Sequence, residues 1–156
     1  MDKLIISHRG NLNGPNPEKE NSPEYVQAAL DAGFDAEVDL WFKPTGWYLG
    51  HDGPTYKVDP IFLWNPNLWI HCKDLKTLSE AMMLNSLSPH LHNSNLFFHH
   101  TDDGVLTSNG LIWTYPGKHL TWASIAVCPE RVEGWDLSIA AGICTDYPEK
   151  YNGCPK

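Results

Sequence analysis

The chain has 156 residues, 42% of them hydrophobic, and a formal net charge of −8. This length suits one domain and is short for two, so we expect a single domain over residues 1–156. The eleven Lys and Arg residues are spread along the chain, which argues against nucleic acid as a partner, because phosphate neutralisation needs clustered cations. The sequence has no run of about 18 apolar residues and no long apolar segment at its start, and we expect a cytoplasmic protein without membrane insertion.

The predicted elements begin with a strand over residues 4–7 and a loop over 10–20 that is rich in Asn, Gly and Pro. A helix follows, since Ser22 is a suitable N-cap, Pro23 suits the first helical position and Gly33 is placed to end it. A second helix is predicted over 74–87. Short apolar runs predict the remaining strands, which are 36–42, the hairpin arm 46–50, 68–73, 96–100, 111–115, 125–128 and 143–145.

Charged and titratable residues follow three of the early strands, where the apolar runs end. They are His8-Arg9-Gly10, Glu37-Val38-Asp39 and His51-Asp52. Glu37 and Asp39 are two residues apart on a strand and therefore point to the same face. Two acids, two histidines and an arginine brought together suit a divalent metal and phosphate chemistry. The alternatives are a solvated strand face for the acids and an ordinary turn at His51-Asp52.

The order of strands and helices favours a parallel sheet. Polar residues at the carboxyl ends of several strands favour a barrel whose active site lies at that end. We therefore expect an α/β fold, specifically a reduced or distorted (β/α) TIM-like barrel.

These motifs, taken in order, resemble the N-terminal half of the glycerophosphodiester phosphodiesterase family. The resemblance rests on Ile-Ser-His-Arg-Gly at residues 6–10, Glu-Asn-Ser at 20–22, Ala-Gly-Phe-Asp-Ala-Glu-Val-Asp-Leu at 32–40, and His51-Asp52. The closing segment 142–149 resembles the last strand of that family. The stretch between Lys73 and this segment is too short for the family's usual remaining βα units, so some helices must be missing or replaced by loops.

The resemblance implies a hydrolase that cleaves a small phosphodiester, glycerophosphodiester-like or a sugar-phosphate diester, with a divalent cation. Carried over by position, Glu37 and Asp39 are the metal ligands, and His8 and His51 are the acid-base pair. Arg9 and Lys73 contact the phosphate. Mg²⁺ or Ca²⁺ is the metal that the family pattern favours. Two alternatives stay open: an inactive relative that binds a phosphorylated ligand, and a lyase that forms a cyclic phosphate with the same histidines.

The segment Ile70-His71-Cys72-Lys73 departs from the family pattern, since His71 stands where the family has a third metal-binding glutamate. A neutral nitrogen in place of a carboxylate should lower the affinity for Mg²⁺ or Ca²⁺ and raise it for Mn²⁺ or Zn²⁺. His71 is either a metal ligand or a neighbour that orients the ligands.

Several other polar residues have two interpretations. Glu20 and Asn21 either orient the site or merely precede the helix cap, and Asp52 either supports His51 or forms a turn. Arg9 and Lys73 could pair with Glu37 and Asp39 without any substrate. For the other polar and aromatic residues we favour a structural role. A loop is favoured over a metal site for His99, His100, Asp102 and Asp103, and the core is favoured over a pocket wall for Trp113 and Tyr115. Buried free thiols are favoured over disulfides or zinc ligands for Cys72, Cys128, Cys144 and Cys154.

Overall fold

The computed structural model describes residues 3–87 and 95–151. The strands are β1 (Leu4–His8), β2 (Asp35–Lys43), β3 (Gly46–Leu49), β4 (Tyr56–Val58), β5 (Leu68–Cys72), β6 (Asn95–Phe97), β7 (Gly104–Leu106), β8 (Ile112–Thr114), β9 (Ser124–Val127) and β10 (Gly142–Thr145). The α-helices are α1 (Pro23–Asp31), α2 (Leu75–Ser86) and α3 (Pro148–Tyr151), and short 3-10 turns lie at Pro60–Trp64 and Pro129–Arg131.

The strands form one mixed sheet. Its parallel part has the order β6-β5-β2-β1-β10-β9-β8, with β1 between the second strand and the last one. The hairpin β3-β4 continues antiparallel from the carboxyl-terminal half of β2, and β7 lies antiparallel to β8. The parallel part places the carboxyl ends of seven strands along one edge of the sheet.

The sheet curls strongly. The side chains of Trp69 on β5 and Trp113 on β8 meet with ring centroids 5.7 Å apart, although four other strands separate β5 from β8 in the sheet. Phe97 on β6 also packs on Trp113, with ring centroids 4.6 Å apart. The concave side of the sheet is therefore filled by large aromatic side chains, and its shape is that of a half-barrel.

The expectation of a reduced (β/α) TIM-like barrel is wrong. Among the described residues, no ladder joins β6 to β7, the strands that would have to meet to close a barrel, and three of the strand pairs are antiparallel. Helices make only two of the crossovers between parallel strands, α1 between β1 and β2 and α2 between β5 and β6. The connections after β6 are loops with short turns, since segments such as 115–123 contain Pro and Gly and are too short for a packed helix.

Two apolar layers hold the sheet. On the convex side, α1 and α2 pack through residues such as Val26 and Ala81 on Val38 and Ile70. The concave layer contains Ile6, Trp69, Phe97, Trp113 and Ile125. In the described part of the chain, no helix is both long enough and apolar enough to cross a membrane.

Candidate functional site at the carboxyl edge of the sheet

The polar residues that follow the strands converge on one cleft of about 340 Å³ at the carboxyl edge. Strands β1, β2 and β5 direct His8, Glu37 and His71 into it from the concave face. His8 and His71 lie near the ends of their strands, and Glu37 lies in β2 directly beside His8 in the sheet. The other residues that line the cleft include Arg9, His51, Lys73, His99, Trp113, Tyr115, Cys128 and Arg131.

Backbone conformations with positive φ cluster at this cleft. In residues 3–87 and 95–151, the non-glycine residues with positive φ are Arg9 (56°), Asn21 (66°) and Cys128 (46°). Arg9 and Cys128 line the cleft, and Asn21 hydrogen-bonds to Asp39. Such conformations cost about 1 to 3 kcal/mol each and often occur at functional sites. The backbone is therefore held in place here by the surrounding contacts.

Asp39 is the centre of a buried network of charges. Its Oδ1 accepts a hydrogen bond from Lys73 Nζ at 3.0 Å and lies 2.9 Å from His71 Nδ1. Its Oδ2 accepts one from Asn21 Nδ2 at 3.0 Å and lies 3.1 Å from Arg9 Nε. Burial alone would raise the pKa of Asp39, but the His71 hydrogen bond and the charges of Lys73 and Arg9 outweigh it and hold this pKa well below the usual range. Asp39 is therefore ionised.

Glu37 lies beside this network and is much less satisfied. Its carboxylate is buried, and Oε2 has no hydrogen-bond partner among the described residues. Burial and the neighbouring charge of Asp39 raise the pKa of Glu37, and His8 and Arg9 oppose them. A buried carboxylate oxygen without a partner is unfavourable in the empty protein and is available to a ligand.

His8 forms an ion pair with Asp146, the residue that follows β10. Their Nδ1 and Oδ1 atoms are 2.6 Å apart, and the same Oδ1 accepts a hydrogen bond from Asn11. Arg131 Nη2 donates to the other oxygen of Asp146. Burial would lower the pKa of His8, but the hydrogen bonds to Asp146 and Cys128 and the nearby charge of Glu37 outweigh it and raise the pKa to about 10. His8 is therefore an imidazolium at neutral pH.

The pKa of Asp146, the carboxylate partner of His8, shifts in the opposite direction. Burial would raise the pKa of Asp146, but the hydrogen bond and charge of His8, with help from Asn11 and Arg131, lower this pKa to about 2. Glu130 orients the segment, since its side chain accepts hydrogen bonds from Thr145 Oγ1 and from the backbone N–H of Asp146. The pair is thus charged on both sides over most of the pH range.

Stacked rings form the opposite side of the cleft. His71 lies parallel to Phe97 with ring centroids 5.2 Å apart, and against His99 at 4.5 Å. His99 also contacts Tyr115 at 4.3 Å. Burial and the charges of His71 and Lys73 outweigh the backbone of His100 and lower the pKa of His99 to about 4, and burial raises the pKa of Tyr115. Both side chains are neutral at pH 7.

Of the remaining predicted site residues, His51 lines the cleft, and Glu20, Asn21 and Asp52 line a second pocket of about 280 Å³ that shares Arg9 and His51 with it. His51 Nδ1 is 2.7 Å from Asp52 Oδ1, and the two side chains are 45% and 97% exposed. Glu20 accepts hydrogen bonds from Arg9 and Asn11. Asn21 does not only precede the helix, because its side chain also accepts the backbone N–H of Asp39.

The distribution of unsatisfied polar atoms supports a ligand in this cleft. Five buried side-chain N and O atoms lack a hydrogen-bond partner in the described ranges, and four belong to residues that line the cleft. They are Arg9 Nε, Glu37 Oε2, His99 Nδ1 and Tyr115 Oη, with Trp64 Nε1 elsewhere. Arg9 Nε is close to Asp39 but without hydrogen-bond geometry. Buried polar groups are normally paired, so this concentration indicates a place for polar ligand atoms.

Within the residues that the structure describes, two groups of side chains could hold a metal ion, and in each the potential ligand atoms lie within 4.8 Å of one another. One is the predicted set Glu37, Asp39 and His71. Its donors are two carboxylates and an imidazole, and the free Oε2 of Glu37 fits a divalent cation. Asp39 fits less simply, because its four contacts match the roughly four lone-pair directions of a carboxylate. A cation would therefore have to displace Lys73 or His71 from its Oδ1.

Sequence reasoning left four residues of this site out of its predictions. Asp146 and Arg131 bind each other, Asn11 bonds to Asp146, and Cys128 lies 4.0 Å from His8 Nδ1. Of the four, Asp146 could have been predicted from the sequence, because it follows the last apolar run just as His8 follows the first. Cys72, Cys128 and Cys144 are buried free thiols, as expected, and Cys154 lies outside the described residues.

Comparisons with protein-family models, with curated proteins and with solved structures found no match to this chain.

Proposed function

We propose that this protein is a metal-dependent phosphodiester hydrolase that acts on a glycerophosphodiester-like or sugar-phosphate diester. The observation that carries the proposal is the group of four unsatisfied buried polar atoms in a cleft that also contains the cations Arg9 and Lys73. An anionic ligand would pair with the two cations and accept from Arg9 Nε and Tyr115 Oη, while a divalent cation bound with it would pair with Glu37 Oε2. The family resemblance of the motifs at the ends of β1 and β2 supports the same class of reaction.

Arg9 and Lys73 would bind the phosphate. Both are mostly buried, with side chains 19% and 15% exposed, and Asp39 holds each of them. Cations fixed in a cleft that is partly shielded from water stabilise the negative charge that grows on the phosphate oxygens as the nucleophile attacks. The position of Arg9 is set before the substrate arrives, because Glu20 also holds its guanidinium.

His8 would act as the general acid. Asp146 occupies its Nδ1, which leaves Nε2 to protonate the oxygen of the departing alcohol. His51 would be the base, with its imidazole oriented by Asp52. In hydrolysis, water bonds to phosphorus and gives a proton to His51, the bond to the alcohol oxygen breaks, and His8 supplies the proton that this oxygen takes up.

Glu37, Asp39 and His71 would hold the divalent cation. When bound, such an ion neutralises phosphate charge and orients the substrate. Glu37 would provide the oxygen that has no partner, and Asp39 could coordinate the ion only if Oδ1 gave up its contact with Lys73 or His71.

A phosphate-ligand-binding protein without catalysis is the second candidate. It is favoured by the four contacts that already occupy Asp39 and by His71 at the position of the family's glutamate. A lyase is a variant of the enzyme proposal. In that case a hydroxyl of the substrate itself attacks the phosphorus, and a cyclic phosphate forms.

A screen of glycerophosphodiesters and sugar phosphodiesters would test the proposal. The purified chain is treated with a chelator and then incubated with each diester and Mg²⁺, Ca²⁺, Mn²⁺ or Zn²⁺, and products are followed by ³¹P NMR. The proposal predicts a phosphomonoester that forms only with metal, and a cyclic product would indicate the lyase. Binding of a phosphorylated ligand without turnover of any diester would favour the second candidate.

A further inference from the structure

The second group of possible metal ligands involves residues from three distant parts of the chain. His8 ends β1, Cys128 follows β9 and Asp146 follows β10, and all three are buried. His8 Nδ1 lies 2.6 Å from Asp146 Oδ1 and 4.0 Å from Cys128 Sγ. Cysteine and aspartate thus face the same ring nitrogen, which excludes a Cys-His-Asp catalytic triad, since that arrangement needs one partner on each nitrogen.

We propose that His8 Nδ1, Cys128 Sγ and Asp146 Oδ1 form a binding site for a soft divalent cation, Zn²⁺ above all, separate from the group of Glu37, Asp39 and His71. The donor set of thiolate, imidazole and carboxylate is one that zinc prefers and that Mg²⁺ and Ca²⁺ do not. This site does not depend on the proposed phosphodiesterase activity.

The spacing of the three atoms suits a tetrahedral ion. Zinc bound at its usual contact lengths holds its ligand atoms about 3.3 to 3.6 Å apart. The observed 2.6 and 4.0 Å lie on either side of this spacing, so movements of less than about 1 Å would accommodate the ion. Cys128 lines the cleft, which would give the ion a route of entry.

The neighbouring contacts would support the bound ion. Arg131 Nη2 bonds to Oδ2 of Asp146 and Asn11 Nδ2 donates to Oδ1, so the ion would take the position on Oδ1 that His8 Nδ1 now occupies. Such outer contacts orient metal ligands and raise affinity. On binding, the thiol proton of Cys128 and the proton on His8 Nδ1 pass to solvent. A zinc ion here would hold His8 and so would inhibit the proposed reaction rather than assist it.

Cobalt is a suitable probe, because Co²⁺ adopts zinc sites and its bond to a thiolate gives a charge-transfer band in the near ultraviolet. The metal-free protein is titrated with Co²⁺ and then with Zn²⁺. We expect the band to form in the wild type and in Glu37→Gln, and Zn²⁺ but not Mg²⁺ to remove it. Cys72→Ser and Cys154→Ser are the matched thiol controls and should retain it.

Two variants are expected to lose the band, Cys128→Ser and His8→Gln, with circular dichroism used to verify that each is folded. Calorimetry should show that Cys128→Ser lowers the Zn²⁺ affinity by more than about 100-fold, the upper end of what the loss of an outer contact causes. Absence of the band in the wild type, its retention in Cys128→Ser, or its loss in Glu37→Gln would overturn the proposal. If one variant does not fold, the other decides by the same criterion.

Discussion

His8 and Asp146 are 138 positions apart in the chain, yet His8 Nδ1 and Asp146 Oδ1 lie 2.6 Å from each other. Strands β1 and β10 run parallel and adjacent, so the residue that ends one meets the residue that follows the other. The contact links the first and last strands in chain order, which are neighbours in the sheet. It also fixes the ring of the histidine that we propose as the general acid.

This ion pair makes stability depend on pH in a defined window. The pKa of His8 is raised to about 10, so its contribution is complete below the unfolded value of about 6.5 and declines as the pH rises toward 10. The pKa of Asp146 is lowered to about 2, so its contribution is complete above the unfolded value of about 3.9 and declines as the pH falls toward 2. The pair therefore stabilises most between about pH 4 and 6.5.

Urea unfolding of the wild type and of Asp146→Asn, in the presence of a chelator, measures the pH dependence of this stabilisation. We expect the difference in the free energy of unfolding to be largest between about pH 4 and 6.5 and to shrink on both sides. The exposed Asp31 provides the control, since Asp31→Asn removes a carboxylate that bonds to Gln27 on α1. A difference that does not vary with pH would contradict the pairing.

Asp39→Asn should destabilise the fold by about 3 to 5 kcal/mol, because it leaves Lys73 and Arg9 as buried cations without their carboxylate. Chemical denaturation at pH 7 would measure this. Adding Lys73→Met should recover part of the loss, since one of the unpaired charges is removed with it. A loss below about 1 kcal/mol, as expected at exposed sites, would mean that the network is not a stabilising centre.

Gly10→Ala tests the tight turn that follows His8 and Arg9. Gly10 has a φ of 87°, and a Cβ would lie 2.9 Å from the ring of Tyr25 and 3.0 Å from the backbone nitrogen of Val26. Gly33 is a matched control, since its φ is 88° but no atom lies within 4 Å of the added Cβ. Gly33→Ala should therefore cost about 1 to 2 kcal/mol from the φ alone.

The loss of stability in Gly10→Ala should exceed that in Gly33→Ala by about 1 to 3 kcal/mol, the usual range for overpacking. Thermal or urea unfolding of the two variants gives the comparison. Equal losses would show that close packing of α1 against the turn is not what requires glycine at this position.

His71→Glu should shift the metal preference toward Mg²⁺ and Ca²⁺, because a carboxylate next to Glu37 and Asp39 makes the donor set harder. Calorimetric titration of both proteins with Mg²⁺, Ca²⁺, Mn²⁺ and Zn²⁺ measures the ranking. Cys128→Ser can be introduced into both proteins, so that binding at the second group of ligands does not contribute. An unchanged order of the four ions would show that His71 is not a ligand.

Local patterns in the sequence predicted the parts of the site that depend on single strands. The alternation of Glu37 and Asp39 with apolar neighbours fixed which face of β2 they occupy, and helices α1 and α2 are confirmed near their predicted positions. Local patterns did not predict the helix caps. Ser22, the predicted N-cap of α1, makes no side-chain cap bond, whereas Asp74 caps α2 by accepting from the backbone N–H of Thr77.

The rest depends on contacts between distant segments. Strands β4 and β7 have three residues each and are stabilised by antiparallel partners, so no local periodicity marks them. Closure of a barrel depends on whether β6 pairs with β7, which a resemblance confined to the two ends of the chain does not determine. The contact of Cys128 with His8 likewise exists only because β9 and β10 lie beside β1.

The most direct test of the proposed function is the rate of metal-dependent cleavage of the best diester by the wild type, His8→Ala, His51→Ala and His119→Ala. His119 is exposed and does not line the cleft, so its variant controls for the loss of a histidine. We expect His8→Ala and His51→Ala each to lower turnover by about 10² to 10⁴ with the fold intact, and His119→Ala to leave it unchanged. Turnover in His8→Ala equal to that of the wild type would contradict the proposed function.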